Sequence, residues 1–135
     1  MARVDNIIFC LRTINMGEQG VTANVVLSAI TPEYIPGLFS FSVIITLLDL
    51  DYSREHTFSV EFVNPNGENV IDICNQPMPN VDLDMGNLPN EYKGINIAMD
   101  WNNVNLRLSG LYTIRILYDG TEIGNKSIYV KGKNE

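Results

Sequence analysis

The sequence is poor in the side chains that most often carry chemistry. Its 135 residues hold one histidine, His56, and two cysteines, Cys10 and Cys74. Two cysteines are too few for a disulfide framework. Both lie in apolar segments, which predicts two buried free thiols acting as small hydrophobes. One histidine and two distant cysteines also fall short of the ligand set of a zinc site. No Gly-x-Ser-x-Gly elbow, Gly-rich phosphate loop, His-x-x-x-His or Cys-x-x-Cys occurs, so no familiar nucleophilic, phosphoryl-transfer or metal motif is present. Cations are scarce: 9 Lys+Arg stand against 16 Asp+Glu, a net charge of −7. That balance argues against a nucleic-acid partner, which would require a basic face. Long apolar runs are missing as well. The longest, Val43–Leu48, is interrupted by Thr46 and closed by Asp49, far short of the roughly 18–20 residues that span a bilayer, so no membrane association is expected. The apolar stretch Ile7–Leu11 is followed at once by Arg12. It is shorter than the roughly 7–15 residues of a signal-peptide core, and the expected compartment is the cytoplasm.

Helical stripes are absent too, whereas period-2 alternation runs through the whole chain. The first strand spans roughly Val4–Asn15, with apolar residues on both faces, and should be central or covered. The second covers roughly Val21–Ile30. Thr31–Gly37 holds Pro32 and Pro36 and predicts a crossing loop, since proline donates nothing to a ladder. Tyr34 and Ile35 would plug an open end of the core. The third strand, roughly Leu38–Leu50, sets Phe39, Phe41, Val43, Ile45 and Leu47 on one face. An acidic turn at Asp49–Ser53 leads into a fourth strand on which His56, Phe58, Val60 and Phe62 share a face. Asn64-Pro65-Asn66-Gly67 is a strong turn, and a fifth strand follows at Asn69–Cys74. Residues 75–94, with Pro77, Pro79 and Pro89, form a long irregular loop. A sixth strand covers Ile95–Trp101, and alternation resumes at Val104. Leu111–Tyr118 and Thr121–Val130 flank Asp119-Gly120, a two-residue type I′ hairpin signature. Ile123 matches Ile116 across the turn, but Ile128 and Val130 fall out of phase, which predicts a β-bulge at Gly124-Asn125. Residues 131–135 form a tail expected to fray.

The outcome is a single all-β domain over residues 1–135. About eight strands with frequent turns predict an antiparallel two-layer β-sandwich with Greek-key connections and a C-terminal β-hairpin, with a closed barrel as the competitor.

Candidate site residues are few. His56 lies in phase with apolar neighbours, which predicts a hydrogen-bonded core or rim residue rather than a catalyst. Asp49 and Asp51 form one acidic pair on a turn, and Asp82 and Asp84 another in the long loop. Loops at one end of a sandwich can pool the six to eight oxygens that calcium takes, but Asp-x-Asp alone fits solvated turns as well. Trp101, Tyr92, Tyr112, Tyr118 and Tyr129 could build a sugar-stacking platform. The aliphatic neighbours of Trp101 and Tyr112 point those two inward instead.

Two stretches carry a resemblance. The opening Met1-Ala2-Arg3-Val4-Asp5 with Cys10, and the close Gly110-Leu111-Tyr112-Thr113-Ile114 with Tyr118-Asp119-Gly120, resemble a family of small bacterial all-β proteins classed as a domain of unknown function. Pro36-Gly37 followed by Phe39 and Phe41 fits it too. The resemblance implies an immunoglobulin-like sandwich and a bacterial origin, and brings no catalytic residues with it.

The function expected from these features is that of a non-enzymatic protein-interaction or accessory module. It would bind a protein partner or self-associate through edge strands, which pair readily with other chains, and a homodimer fits that reading. No catalytic residue, cofactor or resident metal is expected. The alternative is a carbohydrate- or calcium-dependent binding module with Asp82, Asp84 and Tyr92 as its site. An enzyme with an unrecognised site is the third.

Overall fold

Alternating apolar residues become nine strands among the residues that the computed structural model describes, 2–51, 53–78 and 88–134. They are β1 (Arg3–Asn15), β2 (Val21–Val26), β3 (Ala29–Ile30), β4 (Gly37–Leu48), β5 (Thr57–Val63), β6 (Asn69–Pro77), β7 (Gly94–Leu106), β8 (Gly110–Tyr118) and β9 (Thr121–Val130). Two single 3-10 turns, Gly17–Gln19 and Asn90–Tyr92, complete the elements. One sheet has the order β2-β1-β4-β7 and the other β3-β9-β8-β5-β6. Every pairing is antiparallel except that of β3 with β9. The two sheets face each other as a sandwich, as the alternation predicts, and the immunoglobulin-like arrangement is the one the resemblance implies.

The inward faces explain the packing. Phe41, Val43, Ile45 and Leu47 of β4 meet Phe58, Val60 and Phe62 of β5 and Tyr112, Ile114 and Ile116 of β8 in one buried core. Phe62 lies at its centre. Its ring centroid is 6.2 Å from Phe9, 5.6 Å from Phe41, 5.9 Å from Trp101 and 5.3 Å from Tyr112, all within the range where aromatic pairs attract beyond their buried area. The Tyr112 hydroxyl donates to the Leu108 carbonyl at 2.7 Å. That is the tyrosine corner of immunoglobulin-like sandwiches, and it fixes the bend between the sheets.

Several sequence expectations need correction. The second strand does not run from Val21 to Ile30. Val25 takes φ 58°, and a β-branched residue there costs about 1–2 kcal/mol. The chain then leaves the first sheet, and Ala29–Ile30 pairs with β9 of the second. The expected break between a sixth strand and Val104 is absent, since β7 runs unbroken through Leu106. Its register against β4 shifts between Phe39 and Phe41, where Asn103 sits at φ 54°, a value that asparagine tolerates. Cys10 is buried as expected, but Cys74 is exposed, because β6 is an edge strand with one face open to solvent. Tyr34 is exposed and plugs nothing, whereas Ile35 packs on the core.

The Asp119-Gly120 turn has both residues at positive φ, as a type I′ hairpin requires. Its bulge falls at Ile123, one position earlier than the sequence suggests. Leu117 pairs with Glu122 and Ile116 with Gly124, so Ile123 does not stand opposite Ile116. Gly124 is required there by close approach: a Cβ would lie 2.7 Å from a Val4 methyl of the other sheet. Within the tail, the Lys131 and Lys133 amides donate to the carbonyls of Ile30 and Pro32.

Candidate functional site

Of the ligand set put forward from sequence, Asp82, Asp84 and Tyr92, only Tyr92 lies among the described residues; Asp82 and Asp84 lie outside them. Tyr92 is 55% exposed in the 3-10 turn before β7. Of the aromatic set, Trp101, Tyr112 and Tyr118 are buried, while Tyr92 and Tyr129 are exposed on separate elements. No group of three or more metal-ligating side chains converges among the described residues, and no helix is long and apolar enough to cross a membrane.

Two features do stand out. The first is built around His56, just before β5 and only 8% exposed. Its Nδ1 meets the Asp119 carboxylate of the β8–β9 turn, and its Nε2 lies 3.3 Å from the Asp51 carboxylate of the β4–β5 turn. The ring stacks on Tyr118 with centroids 4.8 Å apart. Asp119 also accepts from the Thr57 amide, while its own amide donates to the Thr57 carbonyl. Both ring nitrogens are thus held by carboxylates, so neither is presented to a substrate. The arrangement is a brace between two turns. Sequence reading placed His56 on the correct face but could not find its partners, because Asp119 lies 63 residues away.

The brace has an acid signature. Asp51 is held down to about 2, first by hydrogen bonds from Ser53 and then by His56. Asp119 is also lowered, chiefly by the Thr57 amide and next by His56. A carboxylate whose folded pKa lies below its unfolded value of about 3.9 adds stability above that value and loses it as pH falls through the folded pKa. The melting temperature is therefore expected to fall as pH drops from about 4 towards 2. Asp51→Asn should flatten part of that fall in calorimetric scans; identical pH profiles for variant and wild type would count against the assignment.

The second feature is the β1–β2 hairpin. β1 pairs with β4 only as far as Cys10 and with β2 from Cys10 to Asn15. Past Cys10 the hairpin leaves β4, and the Thr13 hydroxyl donates to Asp100 of β7 at 3.1 Å. Asp100 also accepts from the Ser42 hydroxyl, and Cys10 and Ser42 beneath are closed off from solvent. The Cys10 thiol is pushed up, mainly by burial and next by the Asp100 charge. It is thus kept as a protonated, unreactive thiol. On its outside the hairpin shows Leu11, Ile14, Met16, Val25 and Val26, the last 66% exposed. Its edge strand β2, Val-Thr-Ala-Asn-Val-Val, contains no charged residue and no proline.

The four edges are guarded unequally. β6, the long edge of the second sheet, carries Asp72 and ends at Pro77. β3, the other edge, has two residues. In the first sheet, β7 has one charge, Asp100, in 13 residues, and β2 has none. Lys, Pro and inward charges are the usual means of keeping an edge from pairing, and β2 lacks all of them.

Residues 5–131 match the model of a family described as a family of unknown function (DUF6941). No curated protein matches the chain in sequence. Among solved structures, an immunoglobulin-like protein from Pseudomonas aeruginosa superposes with a TM-score of 0.54 at 11% identity, over 97% of each chain. The alkylpurine DNA glycosylase AlkC of Pseudomonas fluorescens, bound to DNA containing an abasic site analog, superposes with a TM-score of 0.52 at 7% identity. That match covers 96% of this chain but 30% of the glycosylase. At these identities the likeness is one of fold.

Proposed function

The chain belongs to the DUF6941 family, whose function is unknown, and we propose that it acts as a non-enzymatic protein-interaction module. The observation that carries this reading is the β1–β2 hairpin, with five large apolar side chains exposed beside an uncharged edge strand. Large apolar side chains exposed together on one hairpin are a feature of contact sites. A free edge adds main-chain hydrogen bonds to any strand laid against it. The partner proposed first is a second copy of the chain, because β2 presents the same template to itself. At net charge −7 two copies repel each other, and a charge-free strand is where they can approach most closely.

A catalytic reading has less support, since the sole histidine is braced on both ring nitrogens. DNA binding of the kind named for the glycosylase structure has less support still. That likeness covers 30% of the glycosylase, and the acidic balance opposes a phosphate backbone.

Sedimentation velocity over a range of concentrations tests the proposal. Wild-type protein is expected to show a concentration-dependent dimer. Val26→Lys puts an exposed charge on the edge and should shift the protein to monomer, weakening association at least tenfold, about 1.4 kcal/mol. Its melting temperature should change little, because the site is exposed. Wild-type protein that stays monomeric at every concentration would overturn self-association. Calcium in a parallel run separates the ion-dependent alternative.

A further inference from the structure

At the end of the sandwich where the β5–β6 turn faces the β7–β8 corner lies a cleft of about 350 Å³. The volume is at the lower end of the range for small-molecule sites. One wall is the turn Asn64–Glu68, tied by its own hydrogen bonds. The Asn64 side-chain oxygen accepts from the amides of Asn66 and Glu68, and its side-chain nitrogen donates to the Glu68 carboxylate at 3.2 Å. The other wall is the end of β7 and the corner beyond it, with Asn105, Arg107 and Leu108. That corner is pinned by the Tyr112–Leu108 hydrogen bond. The turn is also seated against β8: a Cβ on Gly110, at φ 136°, would lie 2.8 Å from the Pro65 ring. Both walls are therefore set before any ligand arrives, which lowers the ordering cost of binding.

The lining is polar and mixed in sense. The Asn66 and Asn105 amides and the Arg107 guanidinium line the cleft. Each amide offers both donors and an acceptor, the guanidinium offers donors only, and the Glu68 carboxylate accepts. Glu68 lies in the same cleft as Arg107, so the site does not present the unopposed positive charge that an anion would need. The Tyr112 ring is fully buried and offers no face for stacking.

We propose that this cleft binds a neutral, hydroxyl-rich ligand of mono- or disaccharide size, held by hydrogen bonds from Asn66, Asn105, Arg107 and Glu68. A sugar hydroxyl both donates and accepts, and an amide, carboxylate and guanidinium set around a small cleft satisfies it in both senses. The site lies on different elements from the β1–β2 hairpin, so this proposal and the interaction reading fail separately. It also differs from the long-loop site suggested by the sequence, Asp82, Asp84 and Tyr92.

The test is amide chemical-shift mapping of the full chain, titrated to tens of millimolar with maltose, cellobiose, lactose and chitobiose, the range in which weak sugar sites are read. Saturable shifts confined to Asn64–Asn69 and Asn105–Leu108 are expected with at least one of these sugars. Asn66→Ala and Arg107→Ala, both at exposed positions, should each weaken binding about tenfold without altering the melting temperature. Sodium phosphate is run as the charged control. No saturable shift with any sugar, shifts elsewhere on the chain, or the same shifts with phosphate would each overturn the proposal.

Discussion

Phe62→Ala is expected to lower unfolding stability by about 3–5 kcal/mol, the cost of removing a fully buried phenyl ring and leaving a cavity. The surroundings argue for the upper part of that range. Phe62 comes from β5 of one sheet and touches Phe9 of β1, Phe41 of β4 and Trp101 of β7 from the other. A cavity there is walled by rigid rings on opposite sheets, which cannot collapse into it without sheets and corner moving together. Since a domain is stable by only about 5–15 kcal/mol, the variant would lose from about a fifth of that stability to nearly all of it. Urea titration of wild type and variant measures the difference. Phe62→Leu serves as the milder control and should cost clearly less. A loss below about 1 kcal/mol for the alanine variant would mean that Phe62 is not the centre of the core.

His56→Ala is expected to cost about 2–3 kcal/mol, from hydrogen bonds to two carboxylates and the stacking contact with Tyr118. Asp51 and Asp119 stay solvated, so the change strands no buried charge and the loss should remain in that range. A second readout separates a brace from a mere packing residue. His56 is one of the groups that hold Asp51 and Asp119 below the usual carboxylate range. Without it both carboxylates should titrate at higher pH, nearer their unfolded values, so stability should fall less steeply between about pH 4 and 2 than in wild type. Ser53 and Thr57 still hold their acids, so the move is expected to be partial. His56→Phe would restore much of the packing but not the acid behaviour. Loss of stability with an unchanged acid limb would refute the brace and leave only a packing role.

The candidate sites were less legible in the sequence than the fold. Asp119-Gly120 reads as a hairpin at once, yet nothing adjacent says that its carboxylate caps a histidine 63 residues earlier. The cleft draws on the Asn64–Glu68 turn and on Asn105 and Arg107, two segments that are separate in the chain. The sequence marks the first only as a turn. The uncharged edge is partly visible as Val-Thr-Ala-Asn-Val-Val, but edge or centre is a property of the sheet order, not of the strand.

What the sequence by itself determined is the architecture: alternation over β4, β5 and β8 selects the inward faces, because a strand's side chains change sides at every residue. It also determined the Asp-Gly turn and the inward placing of Trp101 and Tyr112, since local conformation and hydrophobic phase are set by near neighbours. Only the tertiary structure decided where β2 ends, which edges lie open, and which polar groups meet. Val25 adopts a backbone that its side chain disfavours because the chain must cross to β9 just beyond it. Cys74, in an apolar segment like Cys10, is exposed because its strand has an open face. Such outcomes depend on contacts between residues far apart in the chain, and no local pattern encodes them.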